Sequence, residues 1–208
     1  MSENLIVVDY GVGNLGSVAR AFERIGAPSK LSTDVEEIRR SKQLVLPGVG
    51  HFGEAMSNLR ARGLEQPLRD AVADGADLLG ICVGFQMLFE RSEEAPGVSG
   101  LGLLTGEVRR FSTARPVPHI GWNQLELHGH TPLLEGVTTG DYFYFLHSYY
   151  VKPSGEGEDV VKARTDYDQT FCSVGGNGRV VGIQFHPEKS QQLGLRVLTN
   201  FWRKSLGE

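Results

Sequence analysis

Leu78-Leu79-Gly80-Ile81-Cys82-Val83-Gly84-Phe85 decides how the rest of the chain is read. Two leucines and an isoleucine make a short apolar run. Cysteine stands between glycines two residues to either side, and a second apolar stretch, residues 85–89, follows at once. This is the cysteine form of the G-x-nucleophile-x-G turn, in which a buried strand hands over to a helix so sharply that the central side chain is pushed out of the sheet. The glycines relieve the crowding that such a backbone creates. A helix starting just after the cysteine presents its positive end to the sulfur, which favours the reactive thiolate. The same residues also fit a buried structural cysteine with glycines kept for packing. The other cysteine, Cys172, lies in Thr170-Phe171-Cys172-Ser173 with no such turn and reads as packing.

A cysteine that attacks an amide needs a base to take its proton and return it to the leaving amine. Of six histidines, His186 ends the apolar run Val181-Gly182-Ile183-Gln184-Phe185 and is followed by Pro187 and Glu188. Proline stops the strand, and Glu188 is then near enough to fold back and fix the imidazole's tautomer. A strand-end histidine beside an exposed glutamate is the plainer alternative. The attacked carbonyl also needs backbone N–H groups for its developing charge. Val83 supplies one, and Val49 in Leu46-Pro47-Gly48-Val49-Gly50 is the candidate for the second, although an ordinary strand-to-helix turn fits that loop as well. His128 and His130 have no carboxylate or cysteine at ligand spacing and read as a polar hairpin turn, so no metal site is expected. His51, His119 and His147 fit binding and packing equally.

Working outward, the first half alternates: Leu5–Val8 as a strand, residues 17–25 as a helix, 43–46 as a strand, two helical stretches within 52–74, and the strand 78–81. That order predicts an α/β fold with an open, largely parallel sheet flanked by helices. Residues 122–127, 142–145, 160–164 and 180–185 carry aromatic or alternating apolar residues, which predicts an antiparallel, hairpin-rich second half. Gln191–Lys204 closes the chain as a helix with Leu195, Leu198 and Trp202 on one stripe, and residues 153–159 read as a surface loop. With 208 residues, 40% of them hydrophobic and 22% charged, the chain suffices for one packed domain spanning residues 1–208. A net charge of -4 argues against nucleic acid as a partner. The absence of any apolar run of membrane-spanning length predicts a cytoplasmic protein.

Gly11-Val12-Gly13-Asn14-Leu15-Gly16 matches the spacing of a dinucleotide-binding turn, with Asp34 placed where a ribose-binding acid would stand. The segment before Asp34 reads as a poor second strand, however, and a dehydrogenase leaves the cysteine turn and His186-Pro187-Glu188 without a purpose. No cofactor is expected.

Taken together, Pro47-Gly48-Val49-Gly50, Gly80-Ile81-Cys82-Val83-Gly84-Phe85-Gln86 and Gln184-Phe185-His186-Pro187-Glu188-Lys189-Ser190 resemble the class I glutamine amidotransferases. Asp9-Tyr10-Gly11-Val12-Gly13-Asn14-Leu15, Pro118-His119-Ile120-Gly121-Trp122-Asn123 and Tyr144-Phe145-Leu146-His147-Ser148-Tyr149 narrow the likeness to the glutaminase subunits of imidazole glycerol phosphate synthases. Val83 and Phe85 stand where leucine and methionine are common in that family. The resemblance implies a Cys82-His186-Glu188 triad that hydrolyses glutamine through a thioester. It also implies that ammonia is channelled to a barrel-shaped cyclase subunit in a one-to-one heterodimer making imidazole glycerol phosphate and aminoimidazole carboxamide ribotide. Gly50, Gln86, His147, Ser148 and Tyr149 are implied to surround the glutamine, and Asn14, Tyr144 and Lys189 to lie at the face meeting the cyclase. A glutaminase serving another synthase and a catalytically dead docking subunit are the rival readings.

Overall fold

In the computed structural model, residues 5–11, 13–154 and 160–204 are described. Residues 155–159 of the expected surface loop, and Val12 of the glycine turn, lie outside that set. The first half runs β1 (Leu5–Val8), α1 (Leu15–Arg24), β2 (Ser29–Ser32), α2 (Val35–Arg40), β3 (Gln43–Gly48), α3 (Phe52–Ala61), α4 (Glu65–Ala73), β4 (Asp77–Cys82) and α5 (Val83–Met87). The second half is strand-rich: β5 (Arg91–Ser92), β6 (Gly106–Arg110), β7 (His119–Gln124), β8 (Glu126–Leu127), β9 (Tyr142–His147) and β10 (Tyr149–Pro153). It continues with β11 (Val161–Asp166), β12 (Thr170–Asn177) and β13 (Val180–Ile183), and ends in α6 (Gln191–Lys204).

The main sheet runs β2-β1-β3-β4-β13-β12-β10-β6-β5. From β2 to β13 the neighbours are parallel, and β13-β12, β12-β10 and β10-β6 are antiparallel. All four residues of β1 and all six of β4 are buried, as continuous apolar runs must be when both faces of a parallel sheet are covered. Helix α1 turns Val18, Ala21 and Phe22 inward, at the i, i+3, i+4 spacing of one helical face. The order of β1, β2 and β3 reverses direction beside β1, and the carboxyl ends of β1, β3, β4 and β13 share one edge. Open α/β sheets place ligands at such an edge.

Two expectations are corrected here, on the segment before Asp34 and on the closing helix, and Asp34 itself finds a structural role. Residues 29–32 do form a strand, paired with β1 over Leu5↔Ser29 to Val8↔Ser32. This is an edge strand with little buried surface, so apolar content was a poor guide to it. Asp34 caps α2 by accepting from the Glu37 N–H at 2.9 Å. The buried stripe of α6 is Gly194, Val197, Leu198 and Phe201, while Leu195 and Trp202 are only partly buried. The stripe is rotated because Gly194 seats the helix on the strand-end turn: a Cβ there would lie 1.9 Å from the Pro187 carbonyl oxygen. Among the described residues no helix is long and apolar enough to cross a membrane.

Candidate active site

Cys82 closes β4 with φ 55° and ψ −111°, a conformation costing a non-glycine residue on the order of 1–3 kcal/mol. Its neighbours are packed so closely that only glycine fits. A Cβ on Gly84 would stand 1.8 Å from the Leu46 carbonyl oxygen, and one on Gly80 would stand 2.8 Å from backbone atoms of Gly84 and Phe85. Gly48 pairs with Cys82 across β3 and β4, and a Cβ there would be 2.5 Å from the Gly84 nitrogen. The turn is thus held by three backbones in contact. Within the Pro47-Gly48-Val49-Gly50 loop this separates the glycines: Gly48 is fixed by packing, whereas Gly50 takes a left-handed φ of 84° with open space around its Cα. The buried Tyr10 phenol donates to the Pro47 carbonyl at 2.6 Å, and burial holds that phenol's pKa well above its ordinary value.

Alternation past the end of β13 sends Gln184 and His186 to one side and Phe185 to the other. Phe185 packs on Phe143 at 4.2 Å between ring centroids. Gln184 reaches Cys82 Sγ with its Nε2 at 3.7 Å. His186 Nδ1 lies 2.9 Å from Glu188 Oε1, and Asn14 Nδ2 donates to that same oxygen at 3.2 Å. A one-turn helix, Pro187–Lys189, brings Glu188 back to the ring, and Ser190 Oγ ties the turn down by donating to the His186 carbonyl at 2.6 Å. His186 Nε2, buried, makes no hydrogen bond meeting normal geometry, although the Cys82 sulfur is close enough to act on it electrostatically. Burial alone would lower the pKa of His186, but Cys82 and then Glu188 outweigh it and push it up to about 10. Glu188, almost fully buried, is disfavoured as an anion by burial, yet the bond to His186 holds its pKa below the ordinary value.

A cavity of about 210 Å³ opens beside Cys82. Val49, Gly50, Val83 and Gln86 line it with His147, Ser148, Tyr149 and His186, so the residues expected to bind substrate or stabilise charge converge on one space. His147 differs from the expectation in one respect, because both ring nitrogens are engaged within the protein. Nδ1 is 2.8 Å from the Tyr149 carbonyl, which only accepts, so that nitrogen carries the hydrogen. Burial lowers the pKa of this ring to about 3, so it is neutral and its Nε2 accepts from His119 Nδ1 at 3.3 Å. Glu94, Pro118 and Leu146 also line the cavity and were not singled out from the sequence. Glu94 follows no motif; Pro118 and Leu146 sit inside quoted ones, but the alternation of β9 puts Leu146 on the face opposite His147, so period alone does not bring it to the cavity.

A model of the glutamine amidotransferase class-I family matches residues 6–204. The chain belongs to that family. This amidotransferase is 50% identical over 201 residues to the imidazole glycerol phosphate synthase subunit HisH of Geobacillus kaustophilus, a match covering 94% of each chain. It is 51% identical over 201 residues to the HisH subunit of Geobacillus thermodenitrificans, covering 94% of this chain and 93% of the other. Among solved structures, a crystal structure of a glutamine amidotransferase matches with a TM-score of 0.76 at 25% identity, over 98% of this chain and 100% of that one.

The amidotransferase also carries an exposed apolar face next to the cavity. Strands β7 and β9 form a separate antiparallel ribbon that pairs Ile120 with Leu146, Trp122 with Tyr144 and Gln124 with Tyr142. Its inner face buries His119, Phe143, Phe145 and His147, while Ile120 and Tyr142 on the outer face are more than half exposed. Lys189 Nζ lies over the Tyr144 ring at 5.5 Å, and Asn14 reaches Glu188 from the β1–α1 turn. Asn14, Tyr144 and Lys189, expected together at a partner face, each border the strand-end turn that carries Glu188.

Proposed function

We propose that this amidotransferase is the glutaminase subunit of an imidazole glycerol phosphate synthase, acting as one domain in the cytoplasm without a cofactor. The observation that carries the proposal is the Cys82 turn facing His186 and Glu188, in a chain half identical to HisH subunits over nearly its whole length. Cys82 Sγ attacks the glutamine carboxamide carbon, and the oxygen's charge is met by the N–H groups of Val49 and Val83. His186, oriented by Glu188, protonates the departing ammonia. A thioester remains, which water cleaves to glutamate. Gly50, Gln86, His147, Ser148 and Tyr149 surround the substrate, and the Glu94 carboxylate suits its α-ammonium group. The ammonia passes to a cyclase subunit that makes imidazole glycerol phosphate and aminoimidazole carboxamide ribotide. That partner covers the outer face of the β7–β9 ribbon, with Asn14, Tyr144 and Lys189 at the junction. The clustering of Ile120, Trp122, Tyr142 and Leu146, all exposed, on that one face supports docking there.

Glutamate release should be measured for the chain alone, with the cyclase subunit, and with the cyclase plus its ribonucleotide ligand. Release should rise steeply on the last addition, mainly through kcat, because Gly50 leaves the Val49 peptide free to turn into and out of register. Full activity of the isolated chain would overturn the switch at the Val49 peptide and leave a glutaminase that needs no partner to become active.

A further inference from the structure

Gln184 is fully buried, yet both ends of its side chain are engaged in a way that fixes which end is which. Gln86 Nε2 donates to the Tyr149 carbonyl at 2.9 Å. A carbonyl only accepts, so that end of Gln86 is its NH₂ group. The same nitrogen lies 3.2 Å from the other end of Gln184, which must therefore be the oxygen. The Gln184 NH₂ group is left facing Cys82 Sγ at 3.7 Å. Strand alternation sets Gln184 beside His186, so one strand end delivers two side chains to the sulfur from positions two residues apart. The Leu146 carbonyl is the third polar neighbour of Sγ, at 3.8 Å, and as an acceptor it favours the thiol over the thiolate.

We propose that Gln184 is a further catalytic residue: its side-chain N–H holds the Cys82 sulfur as a thiolate, and Gln86 locks the amide in the donating orientation from the substrate pocket's wall. The proposal rests on Cys82 being the nucleophile. A neutral amide stabilises the anion without competing with His186 for a proton, and it offsets the effect of the Leu146 carbonyl on the sulfur. Because Gln86 lines the cavity and Gln184 does not, the pocket wall is linked to the sulfur through two hydrogen bonds in series, Gln86 to Gln184 and Gln184 to Cys82.

The test is the pH dependence of Cys82 alkylation by iodoacetamide in the full chain, compared between wild type, Gln184→Met and Gln184→Glu. Methionine keeps the shape and removes the donor. The alkylation midpoint should move to higher pH in Gln184→Met and further in Gln184→Glu. Glutamine turnover by the complex should fall roughly tenfold in Gln184→Met, the low end for a hydrogen bond to a charged group. An unchanged midpoint with unchanged turnover in the methionine variant overturns the proposal. Should either variant fail to fold, the side-chain amide ¹⁵N–H signal of Gln184 in the wild type decides: it should titrate with pH and stop doing so in Cys82→Ala, and a signal indifferent to Cys82 overturns the proposal. Loss of all alkylation-linked activity in Cys82→Ala is required by the parent mechanism, so failure there is distinguishable from failure of the Gln184 role.

Discussion

His186 and His147 line one cavity, both are buried, and they are held in opposite states of charge. His186, at the end of β13, faces a sulfur and a carboxylate, and its pKa is pushed up to about 10. His147, at the end of β9, faces a carbonyl and a second neutral imidazole, and its pKa falls to about 3. Burial acts against the charged form in both. The difference comes from the partners, and it shows why depth alone does not identify a proton carrier. His119 continues the neutral side: stacked on Tyr167 at 4.0 Å and on Phe145 at 5.0 Å, it is lowered to about 4, first by burial and then by Arg115.

The largest effect that would break this comparison is on turnover. His186→Ala should reduce kcat by about 10²- to 10⁴-fold, the usual worth of a positioned acid or base. Glu188→Gln, which keeps a hydrogen bond but removes the charge, should cost less, with glutamine KM little changed. His147→Asn should act mainly on KM. Steady-state kinetics of the three variants in the complex would reverse the roles if His147→Asn proved the most damaging to kcat.

A smaller effect sharpens the neutral side. An imidazole with a folded pKa near 3 and an unfolded pKa near 6.5 leaves stability intact above pH 6.5 and costs it as pH falls towards 3, because only the unfolded chain takes up the proton. At pH 5 the penalty from His147 is roughly 2 kcal/mol. Urea midpoints at pH 7 and pH 5 should therefore lie closer together in His147→Asn than in the wild type. An equal separation would mean the ring is not held neutral.

The smallest effect concerns the second cysteine. Burial pushes the Cys172 thiol up to about 12 although Arg164 stands in register across β11 and β12, and its hydrogen is directed to the Val174 carbonyl at 3.4 Å. Cys172→Ala should keep most of the glutaminase activity and lose about 1–2 kcal/mol of stability from the lost packing. Peptide mapping after alkylation of the native protein should find Cys82 modified and Cys172 untouched.

Much of the site was legible in local pattern. Gly80-Ile81-Cys82-Val83-Gly84 announces its geometry because no other residue type tolerates the backbone contacts at Gly80 and Gly84, and Pro187 marks the end of the strand that carries His186. The central strands were readable for a similar reason, since β1, β3 and β4 are buried on both faces and must be apolar throughout. The edge strand β2, with two serines and a lysine among its four residues, and β6, with charged residues at three of five positions, carry no such mark. Their backbones are recruited by a neighbour's hydrogen bonds and not by their own side chains.

The amino-acid sequence by itself determined the nucleophile's turn, the parallel core and the candidate triad, because each depends on which side chain can occupy a local backbone or period. Only the tertiary structure decided the rest: that Asn14 reaches Glu188 from 174 residues away, that both nitrogens of His147 are spent inside the protein, and that Gln184 turns its amide towards Cys82. Hydrogen-bond direction and proton position depend on which groups meet across the fold, and a chain read in order does not contain those meetings.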